Sequence, residues 1–151
     1  MQPTHLIPHP EGGCYQEVFR STRCITNDQG HNRSALTHIY FALQKGEVSR
    51  FHRVNSDEIW NLYQGDQLDL YLWDGLPSHP PEHIVLSAKD NAFCHVVPAG
   101  VWQAAEAIAS DLLVGCSVAP GFEFCDFQMI DAAHEAHQRL IALAPALQRF
   151  Y

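Results

Sequence analysis

The chain has 151 residues, of which 46% are hydrophobic and 17% charged, and its formal net charge is −8. This length and composition fit one folded domain over residues 1–151 and exclude a disordered chain. The acidic balance argues against nucleic acid or an anionic membrane as the main partner. Five cysteines without a CxxC pair indicate reduced thiols and a cytoplasmic protein. The first ten residues also lack the pattern of a signal peptide.

Short runs of alternating apolar and polar residues predict many strands, separated by turns rich in glycine, asparagine and aspartate. In chain order the predicted strands are residues 14–20, 35–43, 48–54, 58–63, 67–73, 83–86, 93–97, 101–105, 111–118 and 122–127. Residues 131–144 are rich in helix formers and are followed by Pro145, which predicts one C-terminal helix. This order indicates an all-β sandwich or barrel.

The stretch GEVSRFHRVNSDEIWNLYQG, residues 46–65, contains the first candidate site residues. Because alternate residues of a strand share a face, His52 and Val54 point to the same side. Residues 55–57 form a predicted turn, after which Glu58 begins the next strand. A hairpin here brings His52 and Glu58 to one cavity.

A second stretch, VVPAGVWQAAEA at residues 96–107, has a related character. Pro98 and Gly100 predict a corner, and Gln103 follows three residues after that glycine. The two stretches together resemble the motifs of the cupin superfamily.

The first cupin motif, G-x5-H-x-H-x3-E-x6-G, matches Gly46, His52, Glu58 and Gly65, whereas Val54 replaces the second histidine. The second motif, G-x5-P-x-G-x2-H-x3-N, matches at its proline and its second glycine. Its first glycine, its histidine and its asparagine are replaced by Ala92, Gln103 and Ala107.

The resemblance narrows to an uncharacterised cupin family through four blocks. These are HPEGG (9–13), SRFHRVNSDEIW (49–60), VPAGVWQ (97–103) and VGCSVAPGFEFCDF (114–127). The resemblance implies a double-stranded β-helix, the cupin jelly-roll barrel, similar to the sugar-nucleotide 3,5-epimerases. It implies a homodimer and no established reaction. The strand at 14–20 is the expected edge contact of that dimer.

A cupin metal site, as the resemblance implies, has three imidazoles and one carboxylate. Only His52 and Glu58 remain of that set, with the amide oxygen of Gln103 as a third donor. This falls short of a zinc site or a two-histidine, one-carboxylate iron site. We therefore expect no required cofactor, and a weakly bound divalent metal at these three residues is the alternative. His95 is either a substitute ligand or a histidine paired with a backbone carbonyl.

Without a metal, the same residues predict proton chemistry. His52 is the candidate base, Glu58 orients its ring, and Gln103 is a hydrogen-bond donor to the substrate. Tyr40 and Tyr63 are candidate acids, or ordinary aromatic residues of the barrel. The similar epimerases use a histidine base and a tyrosine acid without metal.

Five further residues are candidate ligand contacts, each with a structural alternative. Glu11 precedes two glycines and contacts a ligand or forms a turn. The guanidinium groups of Arg20 and Arg50 bind phosphate or carboxylate, or pair with acidic side chains. Trp60 and Trp102 form a stacking wall or belong to the core.

Three functions stay open on the sequence. The first is an epimerase- or isomerase-like enzyme acting on a carbohydrate-type or other small polar metabolite. The second is a non-catalytic cupin that binds a small ligand. The third is a metal-dependent oxygenase or lyase.

Overall fold

The structure, a computed structural model, describes residues 5–132 and 134–151. About half of these residues form short strands. The strands are β1 (Ile7–Pro8), β2 (Cys14–Arg20), β3 (Cys24–Thr26), β4 (Asn32–Ser34), β5 (Thr37–Leu43), β6 (Val48–Val54), β7 (Asp57–Gln64), β8 (Gln67–Trp73), β9 (Glu82–Ser87), β10 (Cys94–Val97), β11 (Trp102–Glu106), β12 (Leu112–Ala119) and β13 (Phe127–Met129). One α-helix, α1 (Glu135–Leu143), and two 3-10 helices (Phe124–Asp126 and Pro145–Phe150) complete the fold.

The strands form two main antiparallel sheets that pack face to face. The first sheet has the order β1-β2-β5-β12-β7-β10 and the second the order β13-β6-β11-β8-β9. A separate hairpin joins β3 and β4. This arrangement confirms the predicted all-β jelly roll with a short C-terminal helix. Consecutive strands β6 and β7 lie in opposite sheets, so their side chains meet across the space between them.

Nine of the ten predicted strands are present, with small shifts at their ends. The prediction for 122–127 was wrong, because this segment holds a 3-10 turn before β13. The β3–β4 hairpin was missed, because its strands have only three residues each. The side chain of Asn27 closes this hairpin by accepting hydrogen bonds from the backbone of Gln29 and His31.

The C-terminal helix is shorter than the predicted 131–144, of which residue 133 lies outside the described residues. The side chain of His134 accepts a hydrogen bond from the backbone N–H of Ala136 and caps the helix start. The helix ends before Pro145, because proline offers no backbone N–H to continue it. None of the helices in residues 5–132 and 134–151 is long and apolar enough to cross a bilayer.

Two hydrophobic clusters stabilise the fold. The inner cluster lies between the sheets and includes Phe41 and Trp60 from the first sheet with Leu70 from the second. The outer cluster joins the far face of the second sheet to the C-terminal segment, for example Trp102 to Leu140. A cavity remains beside the inner cluster.

Candidate functional site

The cavity has a volume of about 90 Å³ and lies between the two sheets. His52 and Val54 of β6 line it from the second sheet, and Glu58 of β7 lines it from the first. The predicted meeting of His52 and Glu58 in one cavity is therefore confirmed. Val54, which stands where the cupin motif has its second histidine, is an apolar part of the wall.

The ring of His52 is held at both nitrogens. Its Nδ1–H donates to the backbone carbonyl of Arg50 at 2.7 Å, which leaves the Nε2 lone pair on the other side of the ring. Nε2 lies 3.2 Å from Oε2 of Glu11. The expected role of Glu58 as the group that orients this ring is corrected, because the Arg50 carbonyl and Glu11 make the direct contacts.

Glu11 reaches the cavity from the HPEGG loop, residues 9–13. Its backbone carbonyl accepts from the Arg50 N–H at 2.8 Å, and its Oε1 accepts from the Ser49 hydroxyl at 2.8 Å. Oε2 also lies 3.2 Å from Nδ1 of His9, so one carboxyl oxygen contacts two imidazoles. A glycine follows Glu11 because the backbone there must pass close to β6. A Cβ on Gly12 would lie 2.2 Å from the Val48 carbonyl oxygen.

Glu58 is held by a chain of buried hydrogen bonds. The indole N–H of Trp60 donates to Oε1 of Gln103 at 2.7 Å. This contact fixes the amide with its NH₂ group toward Glu58, whose Oε2 accepts at 2.6 Å. Gln103 is fully buried behind Glu58 and does not line the cavity, and both ends of its amide are used inside the protein. Its expected role as a hydrogen-bond donor to the substrate is therefore corrected.

Burial controls the protonation of these groups. It raises the pKa of Glu11 from 4.5 to about 8, against the smaller lowering effects of Ser49 and Arg50. It also raises the pKa of Glu58. Burial lowers the pKa of His52 and, with the nearby His52, lowers the pKa of His9 to about 4. We call His9, Glu11, His52 and Glu58 the floor of the cavity. Near pH 7 the floor therefore has neutral imidazoles beside a protonated Glu11 carboxyl.

Arg20 lies at the rim of the cavity and forms ion pairs with two carboxylates. Its guanidinium donates to both carboxylate oxygens of Glu17, at 2.9 and 2.8 Å. It also donates to Glu123 at 2.8 Å and to the Phe122 carbonyl at 3.0 Å. Arg20 thus pairs with acidic residues, which is the structural alternative to the expected contact with a ligand.

Several predicted site residues lie elsewhere. Tyr40 and Tyr63 pack against each other at 6.1 Å on the outer face of the first sheet, so their expected role as acids in the cavity was wrong. Trp102 lies in the outer cluster under the Arg53 guanidinium, and it forms no wall of the cavity. The side chain of Arg50 donates to backbone carbonyls of the HPEGG loop, which is a correction to its expected contact with a ligand.

Trp60 also departs from its predicted role as a stacking surface. It is 1% exposed, belongs to the inner cluster and acts on the site through Gln103. Glu11, by contrast, lines the cavity as the candidate ligand-contact role requires. Cys116 lines it too as a buried thiol whose pKa burial raises well above its usual value, so it stays protonated.

Sequence reasoning missed His9 and the aromatic wall. His9 is surrounded by aromatic rings, with centroids 4.8 Å away for Tyr15 and 5.6 Å away for Phe127. Phe122 and Phe124 complete this wall. The phenylalanine-rich run GFEFCDF at 121–127 was the available signal, but alternation alone assigned it to a strand.

The donors in the cavity do not fit the metal site of a typical cupin. Val54 offers no donor, and the Gln103 amide oxygen already accepts from Trp60. His95 does not line the cavity. Within residues 5–132 and 134–151, no group of three or more His, Cys, Asp or Glu side chains has the arrangement of a metal site. The expected alternative of a metal at His52, Glu58 and Gln103 therefore lacks its third ligand.

Comparison with known proteins identifies the family. The model of a cupin superfamily family, DUF985, matches residues 1–130. The chain belongs to this cupin family. No curated protein matches it.

Solved structures agree with the family assignment. A hypothetical protein from Leishmania major is 31% identical, with a TM-score of 0.79, over 93% of this chain and 88% of that one. A protein from Shewanella oneidensis is also 31% identical, with a TM-score of 0.76, over 95% of this chain and 87% of that one. KdgF from a Halomonas species is 18% identical, with a TM-score of 0.58, over 81% and 91% of the two chains, and shows only the shared fold.

Proposed function

We propose that this cupin is an isomerase- or epimerase-like enzyme that moves a proton on a small carbonyl-bearing metabolite, of carbohydrate type or similar polarity, without a required metal. The observation that supports this most directly is the placement of His52. Its Nδ1–H is bound to the Arg50 carbonyl at 2.7 Å, which leaves the lone pair on Nε2, the nitrogen that lies 3.2 Å from Glu11 Oε2. A fixed, neutral imidazole in a cavity is suited to act as a general base.

The proton step uses groups that are already in the cavity. Nε2 of His52 takes a proton from the carbon next to the substrate carbonyl, and the electrons of the broken C–H bond move to the carbonyl oxygen. A protonated carboxyl of Glu58 or Glu11 donates a hydrogen bond to the enolate oxygen, since burial raises the pKa of both groups. The Glu58 carboxyl, which lines the cavity from the opposite sheet, gives its proton to the other face of that carbon for epimerisation, and exchange with solvent then removes the proton from His52 and restores that of Glu58. In a hydroxyketone, His52 instead gives its proton to the former carbonyl carbon while the hydroxyl proton moves to the enolate oxygen, which gives isomerisation.

Glu58 and Glu11 have separate supports for this work. The Trp60–Gln103 chain holds Glu58 through Oε2, and Ser49 holds Glu11 through Oε1. Neither carboxyl depends on the other for its orientation. The proposed reaction does not need a metal ion.

One observation favours the second candidate, a non-catalytic ligand-binding cupin. Oε2 of Glu11 contacts His9 and His52 at 3.2 Å each, so the polar groups at the cavity floor satisfy one another. Such a floor serves binding as well as catalysis. The two functions differ in whether the ligand leaves chemically changed.

Deuterium exchange in D₂O separates them. Small ketones and hydroxyketones are incubated with the protein, and NMR follows loss of the proton next to the carbonyl. We expect exchange with the native protein in the presence and absence of a chelator, and loss of exchange in His52→Gln. His38→Gln, a change on the outer face where His38 contacts Ser117, is the matched control and should retain exchange. Two results would contradict the proton-transfer proposal. One is exchange that survives in His52→Gln, and the other is the failure of the native protein to exchange any of the compounds.

A further inference from the structure

The charges around the cavity are unevenly distributed. Of the described residues that line it, Arg20 is the only arginine or lysine, whereas four carry carboxyl groups: Glu11, Glu17, Glu58 and Glu123. An anionic ligand in this cavity therefore has one guanidinium available at most. That guanidinium lies at the rim rather than on the floor.

Four of the five N–H groups of Arg20 donate hydrogen bonds within the protein. Nε and Nη2 each bind an oxygen of Glu17, and Nη1 binds Glu123. These are charge-assisted hydrogen bonds, and the pair with Glu17 has bidentate geometry. A ligand carboxylate or phosphate would find one remaining N–H of Arg20, and it would meet a positive charge that is already paired with two carboxylates.

Among the described residues, the floor of the cavity offers no positive charge either. Glu11 and Glu58 are 5% and 6% exposed, and their hydrogen-bond partners include the neutral hydroxyl of Ser49 and the neutral amide of Gln103. An anion brought next to them would lose its hydration without gaining a cation. Burial also lowers the pKa of His52, which keeps its imidazole neutral near pH 7.

The walls and the size of the cavity suit an apolar body. Tyr15, Phe122, Phe124 and Phe127 line it with aromatic rings. Its volume of about 90 Å³ is several times the ~10–15 Å³ that a cavity needs to hold one water molecule. It therefore has room for a small organic group.

We infer that the cavity selects a small uncharged group with an apolar body and a carbonyl or hydroxyl head, and that it rejects anions such as carboxylates and phosphate esters. This inference rests on the proposed function and refines its ligand. It removes sugar phosphates and nucleotide sugars from the substrate class unless their charged part stays outside the rim.

Propionamide and propionate test this selection, because they have the same shape and differ in charge. Protein-observed NMR titrations at pH 7 follow the backbone amides of Glu11 and His52. We expect propionamide to bind at least about tenfold more tightly than propionate, a difference of about 1.4 kcal/mol. In the double variant Glu17→Gln/Glu123→Gln, Arg20 loses its carboxylate partners, so propionate should gain affinity and the gap should narrow. Glu135→Gln, which removes an exposed carboxyl on α1, is the control and should keep the native preference.

Equal or tighter binding of propionate to the native protein would overturn the inference, as would binding of neither compound. The reaction is judged independently by deuterium exchange. A preference for propionamide without exchange in any compound would support the inferred ligand class and contradict the proposed enzymatic function. Exchange together with a preference for propionate would support the enzymatic function and contradict the inferred ligand class.

Discussion

The indole N–H of Trp60 donates to the side-chain oxygen of Gln103 at 2.7 Å, and this one contact decides which end of the Gln103 amide faces Glu58. With its oxygen used by Trp60, the amide presents its NH₂ group to Glu58, at 2.6 Å. An NH₂ group donates hydrogen bonds and has no lone pair for a metal. Gln103 is therefore a support for a carboxyl group and not a metal ligand.

A metal site should return when its missing donors are restored. Val54 lines the cavity on the same strand as His52, and Gln103 pairs with His52 across β6 and β11. In the double variant Val54→His/Gln103→His, two imidazoles join His52 and Glu58, which completes a four-ligand set. We expect this variant to retain near-stoichiometric zinc or nickel after dialysis, measured by elemental analysis, and the native protein to retain far less. The control Gln16→His/Val18→His adds two imidazoles on β2 outside the cavity lining, and equal metal retention in that control would contradict the explanation.

The glycines of the HPEGG loop should be essential for the position of Glu11. Gly12 has φ +111°, and a Cβ there would lie 2.2 Å from the Val48 carbonyl oxygen. Gly46 has φ +82° but nothing within 4 Å of its Cβ position, so it isolates the conformational cost. We expect Gly46→Ala to cost about 1 kcal/mol of unfolding free energy and Gly12→Ala to cost at least about 2 kcal/mol more. Denaturant unfolding measures both, and equal losses would show that the close approach to β6 is unimportant.

Stability should fall as the pH rises from about 6.5 to 8. The folded protein raises the pKa of Glu11 to about 8, so over this range it holds a proton that the unfolded chain, with a pKa near 4.5, has released. The raised pKa of Glu58 acts in the same direction. The lowered pKa values of His9 and His52 act in the opposite direction, but mainly below pH 6.5, where the unfolded histidines become protonated.

Glu11→Gln should weaken this dependence, because a neutral amide has no proton to release. A single proton difference gives a slope of up to about 1.4 kcal/mol per pH unit, and we expect the native slope to approach this order. Unfolding free energies at pH 6.5 and 8 measure the effect, with Glu135→Gln as the exposed control. A native protein that becomes more stable over this range would contradict the assigned protonation of the floor.

We also propose that the chain forms a homodimer through the free edge of β2. β1 pairs only with residues 14 and 15, so the rest of this strand lacks a partner on that side within the described residues. Val18 and Phe19 are 40% and 51% exposed there. Light scattering should give a dimer mass for the native protein and a monomer mass for Phe19→Lys. Ile108→Lys, a change at an exposed apolar residue outside β2, should leave the dimer intact; a native monomer would end the proposal.

The spacing of residues along the chain was enough to predict that His52 and Glu58 share one site. The strand at 48–54, the short turn and the strand beginning near Glu58 are local features, and the spacing of the cupin motif is enough to put His52 and Glu58 in register. Local alternation fixes which residues share a face. It does not say which face points inward when both are apolar, and for this reason Tyr40 was assigned to the cavity although its neighbour Phe41 lines it.

Only the tertiary structure decided which partners these residues have. Glu11 and His9 reach His52 from a loop some forty residues away, and Trp60 orients Gln103 from the opposite sheet. Such contacts depend on how two sheets and a loop pack together, and burial then sets the protonation of each group. Sequence therefore determined the fold and the candidate base, and packing determined the charge and the hydrogen bonds with which that base works.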